Sequence, residues 1–205
     1  MIAIIDYGVG NIFSLYSAFA SLGIDAVLTS SPEEIRTAER VVLPGVGAFG
    51  DAVSKLEEKG LTEVVVETAK TGKPLLGICL GMQMLLEKSR EYGEHKGLGL
   101  IEGEVISMEP LVPKGYKVPH IGWNALHFPK DREKSPIFKY IDEGDFVYFV
   151  HTYFGSDCGD STIAVAEYGI ELTAAVADGN VFGVQFHPEK SGETGMKILK
   201  AFCEL

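Results

Sequence analysis

The apolar positions of the chain follow one rhythm up to about residue 90 and another after about residue 100. In the first part, short apolar runs alternate with stretches whose apolar positions recur every three to four residues, the period of an amphipathic helix. The runs Ile2–Asp6, Ile24–Thr29, Arg40–Leu43 and Pro74–Ile78 read as strands. Asn11 stands where a helix cap belongs, ahead of an apolar face of Ile12, Leu15, Tyr16, Phe19 and Leu22 that ends at Gly23. Ser31-Pro32-Glu33-Glu34 is a second helix start: a cap, proline in the first turn, then acids at the positive end of the helix dipole. Pro44-Gly45 is expected to stop the third strand, and helices are expected over Asp51–Lys59, Leu61–Lys70 and Leu80–Arg90.

In the second part the segments Glu104–Glu109, Ala125–Phe128, Phe146–Phe149, Thr162–Tyr168, Leu172–Ala177 and Val181–Phe186 read as strands with short links. Asp178-Gly179-Asn180 supplies a tight hairpin turn, and Ser191–Leu205 closes the chain as a helix. Strand–helix alternation followed by hairpins predicts an α/β fold. A mostly parallel central sheet carries helices on both faces and is extended by antiparallel strands. No repeat or Pro/Ser-rich linker divides the sequence, so residues 1–205 are expected to form a single domain.

Composition narrows the function. Eighteen basic against twenty-nine acidic residues leave a formal charge of -11, which disfavours binding to a phosphate backbone or an anionic membrane. No apolar run approaches the ~20 residues of a membrane span, and the N-terminus lacks the basic flank of a signal peptide. Three cysteines, Cys79, Cys158 and Cys203, make a poor disulfide framework and fit a reducing compartment, so the expected location is the cytoplasm.

The candidate chemistry centres on Pro74-Leu75-Leu76-Gly77-Ile78-Cys79-Leu80-Gly81-Met82-Gln83. An apolar strand runs straight into a helix with Cys79 at the corner and glycines two residues to either side, the pattern of a nucleophile elbow. Such a corner brings backbone segments close enough that a Cβ at either glycine would clash. It presents the thiol at the carboxyl end of the sheet, near N–H groups that favour a thiolate, and the Leu80 N–H can point at an oxyanion. The competing reading is a buried structural cysteine. Among five histidines, His187 leaves the strand Val181–Phe186 and precedes Pro188-Glu189, so Glu189 can turn back and orient its ring. No second histidine sits at ligand spacing from it, so no metal site is expected. The glycine-rich loop Leu43–Asp51 could cradle a phosphate or supply a second oxyanion donor near Val46, and the sequence leaves both open.

These motifs, Gly77-Ile78-Cys79-Leu80-Gly81-Met82-Gln83 with His187-Pro188-Glu189, resemble the class I glutamine amidotransferases over essentially the whole chain. Asp6-Tyr7-Gly8-Val9-Gly10-Asn11, Pro44–Gly50, Pro119-His120-Ile121-Gly122-Trp123-Asn124 and Phe149–Tyr153 are similar to a branch that serves histidine biosynthesis. The resemblance implies a glutaminase with Cys79 as nucleophile, His187 as acid and base and Glu189 as orienter, with no cofactor. It places the oxyanion on the backbone of Leu80 and Val46. It puts the substrate glutamine against Gln83, Gly47, Thr152 and Tyr153. It also implies a heterodimer with a (β/α)8-barrel cyclase that consumes the ammonia, reached through Asn11, His120, Trp123 and Lys190. In 205 residues there is no room for a synthase domain as well. Two alternatives stand beside it: a glutaminase subunit of a different synthase, and a non-catalytic docking subunit.

Overall fold

A computed structural model describes residues 1–205. Its strands are β1 Ile2–Ile5, β2 Ala26–Thr29, β3 Arg40–Gly45, β4 Leu75–Cys79, β5 Lys88–Ser89, β6 His95–Lys96, β7 Glu104–Ser107, β8 His120–Ala125, β9 Phe146–His151, β10 Tyr153–Ser156, β11 Thr162–Glu167, β12 Glu171–Asp178 and β13 Val181–Val184. The helices are α1 Ile12–Ser21, α2 Pro32–Thr37, α3 Phe49–Glu58, α4 Thr62–Lys70, α5 Leu80–Leu85 and α6 Gly192–Cys203.

Seven strands form the central sheet in the order β11-β12-β13-β4-β3-β1-β2. From β13 to β2 every neighbour is parallel, and β11 and β12 extend the sheet antiparallel. Alternation along β1 divides the core: Ile2 and Ile4 pack on one face, Ala3 and Ile5 on the other. The first face is covered by α1 and α6 through Leu15, Phe19, Ile198, Leu199 and Phe202. The second is covered by α2, α3 and α4 through Ile35, Ala52, Leu56, Val64 and Val65. The short strands β10-β7-β5-β6 make a second sheet, and β8 pairs with β9. No helix is long and apolar enough to cross a membrane.

Several sequence expectations need correction. β3 does not stop at Pro44-Gly45; both residues pair with β4, at Ile78 and Cys79. The N–H that Pro44 lacks belongs on the opposite flank, where the ladder with β1 has already ended at Ile4↔Val42. The helix expected over Leu80–Arg90 ends at Leu85, because Glu87 and Arg90 donate their N–H groups to Gly103 and Val105 near β7. That pairing partner is remote in sequence and leaves no local periodicity. The stretch around Trp123 is strand β8, which ends at Ala125, so the strand expected over Ala125–Phe128 continues only as a bridge between His127 and Val165. Asn11 stands at the start of α1 without capping it; its Oδ1 accepts from the Ser14 hydroxyl instead.

Candidate active site

β4 delivers Cys79 to a corner with φ 55 and ψ -111, a strained conformation for a residue with a side chain. The flanking glycines make it possible. A Cβ on Gly77 would lie 2.7 Å from the Gly81 carbonyl oxygen, and one on Gly81 would overlap the Leu43 carbonyl. The two segments can therefore cross only as bare backbone. The adjacent β13 carries Gln185 and His187 past its end, so both arrive beside Cys79. The Gln185 amide donates to Cys79 Sγ at 3.7 Å. Its Oε1 accepts from Gln83 Nε2, which also donates to the Tyr153 carbonyl. Gln83 thus braces the wall of the site.

Pro188 starts a 3-10 turn over Pro188–Lys190 that swings Glu189 back, and Glu189 Oε1 lies 2.8 Å from His187 Nδ1. A carboxylate can only accept, so Nδ1 carries a proton and Nε2 is left for the sulfur. Burial alone would lower His187, but hydrogen bonds to Cys79 and Glu189, with their charges, outweigh it and raise the imidazole to about 9. The Ser191 hydroxyl ties the turn down by donating to the His187 carbonyl at 2.7 Å.

A cavity of about 380 Å³ opens over these groups. Of the residues the sequence singled out, Val46, Gly47, Cys79, Leu80, Gln83, Thr152, Tyr153, His187 and Lys190 line it. Glu189 sits behind His187, buried. Five residues of the wall had no assigned role, among them Pro119 and Val150. Glu91 is buried, accepts from the Phe49 N–H at 2.6 Å and lines the cavity. Tyr92 and His151 line it too. Burial holds the His151 ring down at about 3. No motif flags Glu91, which sits among exposed-looking charges. Only its carboxylate's place over the start of α3 reveals it.

The four residues assigned to a partner surface separate. Trp123 is 50% exposed, meets Tyr148 edge-on at 5.9 Å, and the Lys190 ammonium lies 6.0 Å from the same Tyr148 ring, so Trp123 and Lys190 share one surface. Asn11 is half-buried. His120 is a correction: it is wholly buried, its nitrogens 3.2 Å from His151 and 2.7 Å from Asn124, with Tyr168 stacked on its ring at 4.0 Å. It presents no surface in this chain. β8 turns it inward while its neighbours Ile121 and Trp123 remain open.

The class follows from comparison with known proteins. The family model for class-I glutamine amidotransferases matches residues 3–205, and the chain belongs to that family. A solved glutamine amidotransferase is 20% identical and superposes with a TM-score of 0.75, covering 100% of this chain and 98% of that one. The structure of PurLQS from Thermotoga maritima is 20% identical with a TM-score of 0.76, covering 99% of this chain and 97% of that one. Both likenesses speak to the fold alone. Within the class, the curated relative from Caldanaerobacter subterraneus subsp. tengcongensis is 50% identical, covering 100% of this chain and 98% of its own length. A relative from Wolinella succinogenes is 44% identical over the full length of both. Each is an imidazole glycerol phosphate synthase subunit HisH, and this chain is similar to them from end to end.

Proposed function

We propose that this chain is the glutaminase subunit of a cytoplasmic imidazole glycerol phosphate synthase, acting in histidine biosynthesis as one domain over residues 1–205. The convergence of Cys79 and His187 in one cavity, with Glu189 bonded to the ring from behind, carries the reading. In this mechanism Cys79 Sγ attacks the side-chain carboxamide carbon of glutamine, a C–S bond forms and the carbonyl oxygen becomes an oxyanion. The backbone N–H groups of Leu80 and Val46 stabilise that charge. His187 protonates the departing nitrogen, the C–N bond breaks, and ammonia leaves a glutamyl thioester. His187 then takes a proton from water, which attacks the thioester and releases glutamate. Glu189 orients the ring and offsets its charge. Gln185 donates to the sulfur.

Gly47, Gln83, Thr152 and Tyr153 seat the amino-acid end of glutamine. Glu91 adds a buried carboxylate to the same wall, matched to the substrate's α-ammonium group. Free ammonia in water is mostly protonated and no longer a nucleophile. A closed passage to a partner solves that, and the (β/α)8-barrel cyclase of a heterodimer is the partner assigned here. Trp123 and Lys190 form the docking patch, and Asn11 is a further contact assigned to the partner. The test is glutamate release from glutamine, with and without the cyclase and its ribotide substrate. Wild type is expected to turn over slowly alone and faster in the complex. Cys79→Ala is expected to release none; unchanged release in that variant removes Cys79 as the nucleophile.

A further inference from the structure

A chain of two side-chain amides runs to the Cys79 sulfur. It starts at a backbone carbonyl, that of Tyr153 in β10, which can only accept. His151 Nδ1 donates to this carbonyl at 2.9 Å, and so does Gln83 Nε2 from α5, also at 2.9 Å. The contact fixes the Gln83 amide, whose nitrogen and not its oxygen must face the carbonyl. The same nitrogen lies 3.0 Å from the Gln185 amide, so Gln185 turns its acceptor, Oε1, to that side. Its nitrogen is thereby left for Cys79 Sγ, 3.7 Å away. The polarity of one main-chain carbonyl thus passes through two glutamines to the sulfur.

Gln185 is wholly buried, and its backbone N–H is tied to the Ala174 carbonyl of β12 at 2.8 Å. A buried side-chain N–H is costly to leave unpaired, and the sulfur is the partner this nitrogen has. Hydrogen bonds to a charged acceptor are roughly twice as strong as neutral ones. The Gln185 donor therefore favours a thiolate over a thiol or a thioester.

We propose, on the glutaminase reading above, that Gln185 is a catalytic residue: its amide N–H donates to the Cys79 sulfur whenever that sulfur carries charge, before attack and again when it is expelled. In the second half of the reaction the oxygen of water bonds to the thioester carbon. The C–S bond then breaks and its electron pair returns to the sulfur. His187 at that point holds the proton taken from water, and Gln185 supplies the second donor to the sulfur.

Gln185→Met and Gln185→Leu remove the donor and fill the buried position with two different apolar shapes. Gln83→Met breaks both of its bracing bonds and leaves the Gln185 donor in place. The probe is iodoacetamide, which forms an S–C bond and expels iodide, followed on the Cys79 peptide from about pH 4 to pH 10. Burial pushes the Cys158 and Cys203 thiols up to about 11, so both stay largely protonated over that range. The other titratable groups around the sulfur, His187, Tyr7, Glu91, Tyr92, His151, Tyr153 and Lys190, are unchanged in all of these variants. Both Gln185 variants are expected to move the midpoint of Cys79 reactivity upward by about one pH unit. Their plateau rate is expected to stay level or rise by up to about threefold, since a more basic thiolate is the better nucleophile. Gln83→Met is expected to move the midpoint less than half as far. Glutamine turnover in the complex with the cyclase is expected to fall about tenfold in both Gln185 variants. A midpoint within about 0.3 pH unit of wild type in either Gln185 variant, with or without a fallen plateau, overturns the proposal and leaves Gln185 a packing residue. An equal shift in Gln83→Met, or wild-type turnover in both Gln185 variants, overturns it too. Absence of hydrolysis by wild type overturns the glutaminase reading and the catalytic role with it, whereas hydrolysis with an unmoved midpoint removes Gln185 alone.

Discussion

At the residue scale, the site depends on what is missing as much as on what is present. Cys79 can occupy its strained corner because Gly77 and Gly81 leave room for backbone to cross. Gly81→Ala puts a methyl into the Leu43 carbonyl, with backbone on both sides and no flexible side chain to give way. The expected cost is about 3 kcal/mol or more, measured by urea unfolding; a loss under about 1 kcal/mol contradicts the packing argument. His187 gives a pH signature. Its folded value of about 9 lies above the ordinary histidine value, so its contribution is complete below about pH 6.5 and is lost as pH rises through 9. Unfolding free energy should therefore fall between pH 7 and pH 9.5, on the order of up to 3 kcal/mol, and Glu189→Gln should flatten the slope. A flat wild-type profile over that range argues against the coupled ring. Cys79, His187 and Glu189 were legible in the sequence because an elbow and a His-Pro-Glu exit are local patterns. Glu91 and Gln185 were not, since each earns its place through contacts more than forty residues away.

At the scale of elements, the parallel core was readable from apolar runs and helix starts. The Ser31 hydroxyl accepts from the Glu34 N–H as its motif implies, and β12 and β13 form the expected hairpin across Gly179-Asn180. The small second sheet was not readable. β5 and β6 are two residues long, β5 paired on one side with β6 and on the other with the remote β7, so no period marks them in the chain. The β8–β9 pair shows how one strand can serve two purposes. Its inward side buries His120 next to His151, while its outward side leaves Ile121 and Trp123 open. A partner surface is therefore better sought in alternate residues of β8 than in the whole motif. Trp123→Ala is expected to weaken the complex with the cyclase by ~2 kcal/mol, read by titration calorimetry. His120→Ala is expected to lower stability instead, because it leaves a hole among stacked rings and unpaired polar atoms. Equal affinity for Trp123→Ala and wild type takes this tryptophan out of the docking patch.

At the scale of the molecule, the central sheet brings β3, β4 and β13 side by side, and each ends at the same cavity. β3 brings the backbone of Val46 and Gly47, β4 brings Cys79, and β13 leads to His187 and Glu189. That arrangement is why widely separated motifs act as one site. The central claim is that glutamine is opened on the Cys79 sulfur. The most direct measurement is acid quenching of the complex during turnover of isotope-labelled glutamine, followed by mass mapping of the cysteine peptides. A glutamyl adduct is expected on the Cys79 peptide alone, absent in Cys79→Ala. Glutamate release with no adduct on Cys79, or with the adduct on Cys158 or Cys203, would contradict it.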